Sequence, residues 1–449
     1  MTSDVDDDQL VRDDELVRAA LAQLRANDVG TFVKPAERQY PHQWNWDAAL
    51  VALGLGLHDP ERARLEVRSL LRGAWRDGMV PHILYHLGAS DYRPAPDFWR
   101  TEQRHPAGLP TSGLSQPPIL ASCLHRLHAL SPDGQETAWR EFLAETYPAL
   151  LAWHRWWHRE RDPEGRGLVA IVHPWESGTD DAPRFVPALT RLRPTTVPEF
   201  VRGDRTHVPA TERPSDDDYA RFVHLIDVYR TLGWDPAAVW REAPFRVVDP
   251  FVNAVLHRAD GDLASIARLL GEPTDEIEAW LDATRQAYQG LWSDDAGTFL
   301  AWDDRAETSL PSSGIAGFAA LWGRLATPLQ VEALRAAFDD PAGYAPVGPD
   351  GVRLATVRHD DPLFTPRRYW RGPVWIVTNW MVADGFDAAG MHDASATLRA
   401  DALSLTRRHG FHEHYDPTDG TPGGARGFSW SAALTLVLER EARPAQLES

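Results

Sequence analysis

The sequence predicts a mostly helical, all-α fold. Apolar residues recur at intervals of three and four, as at Leu263, Ile266 and Leu270, and this is the period of an amphipathic helix. Capping signals flank such stretches. Few segments alternate apolar and polar residues as a half-buried strand requires, so we expect roughly a dozen helices and little sheet.

The helical stretches can be followed along the chain. Those with clear periodicity are, in order, Val67, Leu70, Leu71 and Ala74; Leu143, Tyr147, Leu150 and Leu151; and Ile277, Trp280, Leu281, Thr284 and Tyr288. Asp59-Pro60 and Asp249-Pro250 each place a capping aspartate before a proline, a residue favoured at the first helical position. In LTRRHG, three basic residues precede Gly410, which predicts the end of a helix.

Long connections rich in proline, glycine and aromatic residues separate the helices. They cover residues 29–46, 86–116, 173–214, 343–373 and 410–428. Long loops inside a compact domain are commonly functional, and no Ser/Gly linker or fixed-period repeat divides the chain. We therefore expect one domain over residues 1–449 with a composite site formed by the loops, and a disordered acidic tail over residues 1–12.

The composition is that of an ordinary globular protein, with 43% apolar and 25% charged residues. No apolar run approaches the length of a membrane span, and the acidic start, MTSDVDDDQLVRDDELVRAA, lacks the basic and then apolar pattern of a signal peptide. A single cysteine, Cys123, cannot form an internal disulfide and fits a reducing compartment. We expect a cytoplasmic protein that does not bind membranes.

The formal net charge of −19 should repel nucleic acid, which we do not expect as a partner. One segment departs from this balance, because it has six arginines against three acidic residues: Arg184, Arg191, Arg193, Arg202, Arg205 and Arg213. Two interpretations are open. The segment is either a solvated loop with scattered ion pairs or an anion-binding island beside the acidic stretch that precedes it.

Two loops carry carboxyl groups in unusual settings. The stretch HPWESGTDDAPRF, residues 173–185, contains Glu176, Asp180 and Asp181; carboxylates this close repel one another unless they are solvated, paired or protonated. Glu413 lies in a second loop, which is rich in glycine and aromatic residues. Because a glycosidase needs one protonated and one ionised carboxyl group beside the scissile bond, Asp180 and Glu413 are the candidates.

Many of the nineteen tryptophans fall in loops. Examples are Trp44 and Trp46 in QWNWD, Trp175 in HPWES, and Trp370 and Trp375 in RYWRGPVW. A tryptophan in a polar loop often lines a pocket, where its face stacks on the C–H face of a sugar and its N–H donates a hydrogen bond. The loops therefore indicate a carbohydrate ligand.

Several motifs resemble those of glycoside hydrolase family 63, in the expected order from Thr31 to Leu434. The stretch WESGTDDAPR is similar to the family's W-E-S-G-x-D-N-S-P-R, and HEHYDPTDG…FSWSAAL is similar to its E-Y-Y-(D/N)-P-x-x-G…WSAA. QWNWDAAL, GLSQPP and YWRGPVWIVTNW also match. In length and loop sequences, the chain most resembles bacterial mannosylglycerate and glucosylglycerate hydrolases.

The resemblance implies an (α/α)6 barrel of paired antiparallel helices, inversion at the anomeric carbon and no cofactor. It implies that Asp180 is the general acid and Glu413 the general base. The residues implied in the sugar subsite are Tyr40, Trp44, Trp46, Asp47, Gln116, Trp175, Gly178, Trp370 and Trp375. Those implied in holding glycerate are Arg213, Tyr219 and Tyr369, which favours the anion-binding interpretation of the arginine-rich segment.

Two positions depart from the family pattern. Asp181 stands where the family has asparagine, and His414 stands where it usually has tyrosine. We assign the acid to Asp180 because its spacing from Gly178 matches the family. The run His412, Glu413 and His414 also resembles a metal site, but alternate residues of an extended segment point to opposite faces, and we expect no metal.

We therefore predict an inverting α-glycoside hydrolase acting on a small anionic substrate, glucosylglycerate or mannosylglycerate. Two alternatives remain open: a hydrolase of neutral α-glucosides, either trehalase-like or an oligosaccharide glucosidase, and a sugar-binding protein without activity. The presence of both carboxyl residues favours an enzyme. The sequence leaves open whether the chain forms a homo-oligomer.

Overall fold

The computed structural model describes residues 3–86, 92–131, 134–194, 197–312 and 314–442, with side chains from residue 14 onwards. In these ranges the chain forms sixteen α-helices, α1 to α16, namely Ser3–Asn27, Asn45–Gly56, Pro60–Leu71, Pro96–Trp99, Leu120–Leu130, Glu136–Arg161, Val186–Arg191, Asp216–Thr231, Pro236–Glu242, Pro250–Leu270, Asp275–Tyr288, Ile315–Trp322, Pro328–Asp339, Ile376–Ala388, His392–His409 and Ser429–Ala442. The prediction of a mostly helical fold is confirmed.

The same ranges contain ten short strands, β1 to β10: Gln43–Trp44, Ile83–Leu84, Ala170–Ile171, Val247–Val248, Trp292–Ser293, Thr298–Phe299, Ala301–Asp303, Thr308–Leu310, His412–Tyr415 and Pro422–Arg426. Four of them form an antiparallel sheet in the order β3-β4-β7-β8. The others pair in antiparallel twos, β1 with β2, β5 with β6, and β9 with β10.

Six helices contact one another in a closed cycle. In this cycle α2 packs on α5, α5 on α10, α10 on α12, α12 on α14, α14 on α16, and α16 on α2; we call these the ring helices. All residues of α2 and α12 are buried, as expected of helices that are apolar on every side. Gly54 permits the close approach of α2 to α16, because a Cβ there would lie 2.5 Å from the Ala433 carbonyl oxygen.

A second set of helices packs outside the ring. Here α1 contacts α16, α3 contacts α2, α6 contacts α5 and α10, α11 contacts α10, α13 contacts α12, and α15 contacts α14. These helices bury one face, as α11 does with Ile277, Thr284 and Tyr288. The predicted stripes of α3, α6 and α11 supply most of these buried faces. Ala74, however, lies beyond the end of α3, and four residues of the stripes are only partly buried, namely Leu71, Leu151, Trp280 and Leu281. Asp59 and Asp249 cap α3 and α10, as predicted.

The long loops meet at the N-terminal ends of ring helices. Trp44 immediately precedes α2, Trp375 precedes α14, and Phe428 precedes α16, while Gln116 lies just before α5. The free backbone N–H groups of a helix N-terminus carry partial positive charge. This end of the ring therefore favours a ligand or side chain with negative charge.

Two other expectations can be compared with the structure. Residues 3–12 have a helical backbone within α1, whereas the sequence favours a disordered tail; residues 1 and 2 lie outside the described ranges. A helix is compatible with this acidic composition because aspartates are favoured in the first turns, near the positive end of the helix dipole. Among the residues described, no helix combines the length and the apolar character needed to cross a membrane.

Candidate active site

A pocket that opens to solvent, with about 800 Å³ of empty space, lies at the N-terminal ends of the ring helices α2, α5, α14 and α16. Every residue that the sequence predicts for the site lines it: Tyr40, Trp44, Trp46, Asp47, Gln116, Trp175, Gly178, Asp180, Arg213, Tyr219, Tyr369, Trp370, Trp375 and Glu413. These residues come from all of the long loops and from the helix ends beside them. The loops therefore converge on one pocket.

The three neighbouring carboxyl groups of residues 176–181 have different surroundings. Glu176 is buried and paired with Arg161, whose Nη2 lies 2.6 Å from Oε1. Asp181 is also buried and is paired with two arginines. Asp180 has no cationic partner at salt-bridge distance among the described side chains, and it is the only one of the three that lines the pocket. Pairing thus resolves the repulsion at two positions and leaves the third free to hold a proton.

Burial raises the pKa of the Asp180 carboxyl to about 7, and the neighbouring Asp181 charge adds to this increase. Tyr369 opposes it, because its hydroxyl donates a hydrogen bond to Asp180 Oδ2 at 3.4 Å. A carboxyl group with this pKa can carry a proton at neutral pH and donate it. Asp47 is buried beside it, and burial, together with the charges of Glu413 and Asp180, raises the pKa of Asp47 well above its usual range.

Glu413 lies on β9, nearly fully buried, and its two oxygens are held by four donors. Oε1 accepts from the Tyr40 hydroxyl at 2.7 Å and from Arg213 Nη1 at 3.1 Å. Oε2 accepts from Arg213 Nη2 at 2.6 Å and from the Ala425 N–H at 2.7 Å. One cation, which donates twice, and two further hydrogen bonds match the requirements of an ionised carboxylate. The two carboxyl groups predicted for catalysis therefore have opposite electrostatic surroundings.

Aromatic side chains form the walls of the pocket. Trp370 and Trp375 are stacked, with ring centroids 3.9 Å apart and an interplanar angle of 3°. Trp46 meets Trp430 edge to face, with centroids 4.9 Å apart. Gly178 has φ +69° and packs directly on Trp46, where a Cβ would lie 2.9 Å from the ring. Rigid apolar walls with a few polar groups suit the faces of a sugar ring.

The arginine-rich segment is mostly paired within the protein, so the anion-binding interpretation is wrong for most of it. Those paired with carboxylates are Arg184, Arg191, Arg202, Arg205 and Arg213. Arg213 is the one arginine of this segment that lines the pocket. Its Nε has no hydrogen-bond partner among the described residues. Buried carboxylates require such partners, which explains why arginines accumulate in this loop.

The sequence did not identify all residues that line the pocket. The others are Pro35, His82, Ile83, Tyr92, Pro94, Asp204, Pro214, Phe222, Phe428 and Trp430. Phe428 and Trp430 belong to FSWSAAL, so a motif signal existed for them. His82 had no such signal; its ring is buried, and its Nδ1 has no partner in the described part of the chain.

The histidines around Glu413 do not join it in a cluster. His414 packs against Trp375, with ring centroids 5.2 Å apart, whereas the Glu413 carboxylate is bonded to Arg213. No group of three or more His, Cys, Asp or Glu side chains in the described ranges has an arrangement that could hold a metal ion.

Comparison with known proteins places this chain in a family. A family model for the mannosylglycerate hydrolase MGH1-like glycoside hydrolase domain matches residues 40–431. Mannosylglycerate hydrolase from Thermus thermophilus is 42% identical over 428 residues, which cover 94% of this chain and all of that protein. Glucosylglycerate hydrolase from Mycolicibacterium hassiacum is 33% identical over 435 residues, which cover 94% of this chain and 97% of that protein.

A solved structure agrees with these matches. The crystal structure of the GH63 mannosylglycerate hydrolase from Thermus thermophilus in complex with Tris and D-glycerate has a TM-score of 0.88 to this chain, at 41% identity, and the match covers 94% of this chain and 99% of that one. The family model and the curated relatives cover nearly the whole chain, so the chain is a glycoside hydrolase. It belongs to glycoside hydrolase family 63, with the mannosylglycerate hydrolase MGH1-like domain.

Proposed function

We propose that this hydrolase cleaves the α-glycosidic bond of mannosylglycerate or glucosylglycerate with inversion, with Asp180 as the general acid and Glu413 as the general base. The observation that carries the proposal is the asymmetry of the two carboxyl groups in one pocket. Burial raises the pKa of Asp180 to about 7, while Glu413 is paired with Arg213. One group is suited to donate a proton and the other to accept one.

In the proposed reaction, Asp180 protonates the leaving oxygen of glycerate while Glu413 takes a proton from the water that attacks the opposite face of the sugar. A proton that arrives on Glu413 must displace one of its donors. Tyr40, 2.7 Å from Oε1, is the donor that can give way, because a hydroxyl can turn from donor to acceptor whereas a guanidinium or backbone N–H cannot.

The pocket also supports a substrate that joins a sugar to a carboxylate. Asp47 and Gln116 supply polar groups for sugar hydroxyls among the aromatic walls. On the aglycone side, Arg213 lies over the ring of Tyr369, with Cζ 4.7 Å from the centroid, and its unpartnered Nε can donate to a glycerate carboxylate. The similar proteins named for mannosylglycerate and glucosylglycerate, and the one crystallised with D-glycerate, support this assignment.

A neutral α-glucoside is the second candidate. Nη1 and Nη2 of Arg213 are bonded to Glu413 and Tyr40, so much of the positive charge in the pocket is already balanced within the protein. This internal neutralisation is the observation that favours a substrate without a carboxylate, of the trehalase-like or oligosaccharide type.

A substrate panel tests the proposal. The purified full chain is incubated with glucosylglycerate, mannosylglycerate, trehalose and maltose, and the released sugar is quantified, with Asp180→Asn as the control for contaminating activity. We expect release from one or both glycerate glycosides and little from the neutral sugars. Preferential cleavage of trehalose or maltose would favour the second candidate. No release from any of the four would contradict the proposed substrate class.

We also propose that the ring and outer helices form an (α/α)6 barrel within a single domain. The closed cycle of the ring helices, each with an outer neighbour, supports the barrel. One cluster of buried hydrophobic side chains that extends from Leu16 to Leu438 supports a single domain. A cytoplasmic location is proposed from the single cysteine, which is free and buried.

A further inference from the structure

Asp181 is a buried carboxylate whose surroundings differ from those of its neighbour Asp180. Its Oδ2 accepts from Arg368 Nε at 2.8 Å, and its Oδ1 accepts from Arg371 Nη2 at 2.8 Å. Arg371 Nε also donates to the Asp181 carbonyl oxygen at 2.9 Å. These bonds tie the loop that carries the proposed acid to a segment far away in the sequence.

The two arginines flank Tyr369, which lines the pocket. Their segment is a tight loop, closed by hydrogen bonds from the Thr365 N–H to the Arg371 carbonyl and from the Arg371 N–H to the Arg368 carbonyl, both 2.7 Å. Tyr369 has φ +37°, which a residue with a side chain adopts only when its surroundings impose it. The arginine contacts on either side of Tyr369 are the surroundings that can do so.

This backbone conformation directs Tyr369 towards the proposed acid. Its hydroxyl lies 3.4 Å from Asp180 Oδ2. Its carbonyl oxygen accepts a hydrogen bond from Trp375 Nε1 at 3.1 Å, and the Arg213 guanidinium covers one face of its ring. Tyr369 is therefore held at its backbone and ring, and its hydroxyl faces Asp180.

Asp218 completes the group of charges. Its Oδ2 lies 3.1 Å from Arg368 and 3.4 Å from Arg371, and it also accepts from Ser215 Oγ at 2.7 Å. Arg221 Nη1 also lies 3.3 Å from Asp218 Oδ1, so two carboxylates offset the charge of three guanidiniums. Asparagine in place of Asp181 would keep the size of the side chain but remove one of these two negative charges.

We propose that Asp181, Arg368 and Arg371 form a clamp that positions Tyr369 against the Asp180 carboxyl, which makes Asp181 a positioning residue for the proposed general acid. This inference rests on the proposed function. Because the Tyr369 hydrogen bond stabilises the ionised form of Asp180, the clamp contributes to setting the pH at which the acid loses its proton.

Arg368→Met tests the clamp through the pH profile. The other charged or titratable groups around Asp180 are Asp47, Asp181, Arg213, Tyr219 and Glu413, and this variant retains all of them. It removes both the anchor of Tyr369 and a nearby positive charge, and each loss raises the pKa of Asp180. We expect the alkaline limb of kcat/KM to move to higher pH by about half a unit or more.

Two further variants serve as the positive and negative controls for that measurement. Tyr369→Phe should move the alkaline limb in the same direction, because it removes the hydroxyl itself. Arg358→Met changes an arginine of the same long loop that pairs with Asp340 and Asp360 on the surface, and it should leave the limb in place. An Arg368→Met profile that coincides with that of the unmodified protein would overturn the proposal.

A double-mutant cycle tests Asp181 itself. The cycle is measured on the pH-independent plateau of kcat/KM, where the direct effect of the Asp181 charge on the Asp180 pKa does not change the rate. There Asp181→Asn should lower kcat/KM roughly tenfold in the unmodified background but less than about twofold in Tyr369→Phe, because the remaining effect acts through the tyrosine. Equal losses in both backgrounds would overturn the clamp. Asp180→Asn separates the two proposals: if it remains active, the proposed acid is wrong, whereas an inactive Asp180→Asn with an additive cycle refutes the clamp alone.

Discussion

At the scale of single residues, the partner of a carboxyl group decides what it can do. Glu176 is paired with one arginine and Asp181 with two, so these two carboxylates hold their loop in place through ion pairs. Asp180 lies between them in sequence, but its carboxyl group faces the pocket and has no cationic partner among the described residues. Glu413, which lines the same pocket, is paired with Arg213. The proposed proton donor and the proposed proton acceptor are both carboxyl groups, and they differ in their surroundings.

Removing either proton-transfer role should abolish most of the activity. Asp180→Asn and Glu413→Gln keep the size of each side chain, so we expect kcat to fall roughly 10²- to 10⁴-fold with the fold intact. Initial rates on both glycerate glycosides, with thermal unfolding of each variant, provide the measurement. If Asp181→Asn were the inactive variant and Asp180→Asn remained active, the acid would be one residue further along the chain.

The pH dependence follows from the Asp180 carboxyl. Its pKa is raised to about 7, mainly by burial, so the protonated form needed for acid catalysis is present below this pH and is lost above it. We expect kcat/KM to fall as pH rises through this value, by about tenfold per unit once ionisation is nearly complete. Steady-state rates at constant ionic strength measure this limb. A rate that stays constant well above the pKa would contradict the assignment of Asp180.

At the scale of elements, the β9–β10 hairpin shapes the surroundings of the proposed base. Gly424 has φ +67°, and a Cβ there would lie 2.4 Å from Glu413 Oε2. The Glu212 carboxylate accepts from the Gly424 N–H at 2.8 Å and fixes the strand next to Arg213. The loop that carries Arg213 and the β9–β10 hairpin that carries Ala425 are therefore joined, and each supplies a donor to Glu413.

Gly424→Ala should displace Glu413 from its donors and lower kcat/KM by more than about tenfold. Gly410→Ala is the matched control, because Gly410 also has positive φ but no atom within 4 Å of its would-be Cβ, so it introduces backbone strain alone. Thermal unfolding reports the strain in each variant. If the two variants lose activity equally, steric contact with Glu413 has no special role.

Much of the local structure could be predicted from the sequence, because helix stripes and caps depend on neighbouring residues. The stripe of α11 and the cap at Asp249 are examples. The ring could be expected only from the family resemblance and not from the local patterns, because α2 and α16 meet from opposite ends of the chain. In the same way, the motifs identified Asp180 and Arg213, but the arginine partners of Asp181 and the bond from Arg213 to Glu413 depend on contacts between distant loops.

At the scale of the whole molecule, the fold must admit an anionic substrate to an acidic protein. The net charge of −19 disfavours the approach of a carboxylate. The pocket offsets this locally, because it lies at the N-terminal ends of ring helices, where backbone dipoles are positive, and because it contains Arg213. The ring helices thus provide a support on which loops from the whole chain meet.

The stereochemistry of the first product tests the central claim most directly. Anomer-resolved NMR, recorded as the purified chain cleaves glucosylglycerate or mannosylglycerate, distinguishes the released anomer before it equilibrates. With Asp180 as acid and Glu413 activating water on the opposite face, the α-glycoside should first release the β-sugar. Initial appearance of the α-sugar would contradict inversion and, with it, the assignment of Glu413 as general base.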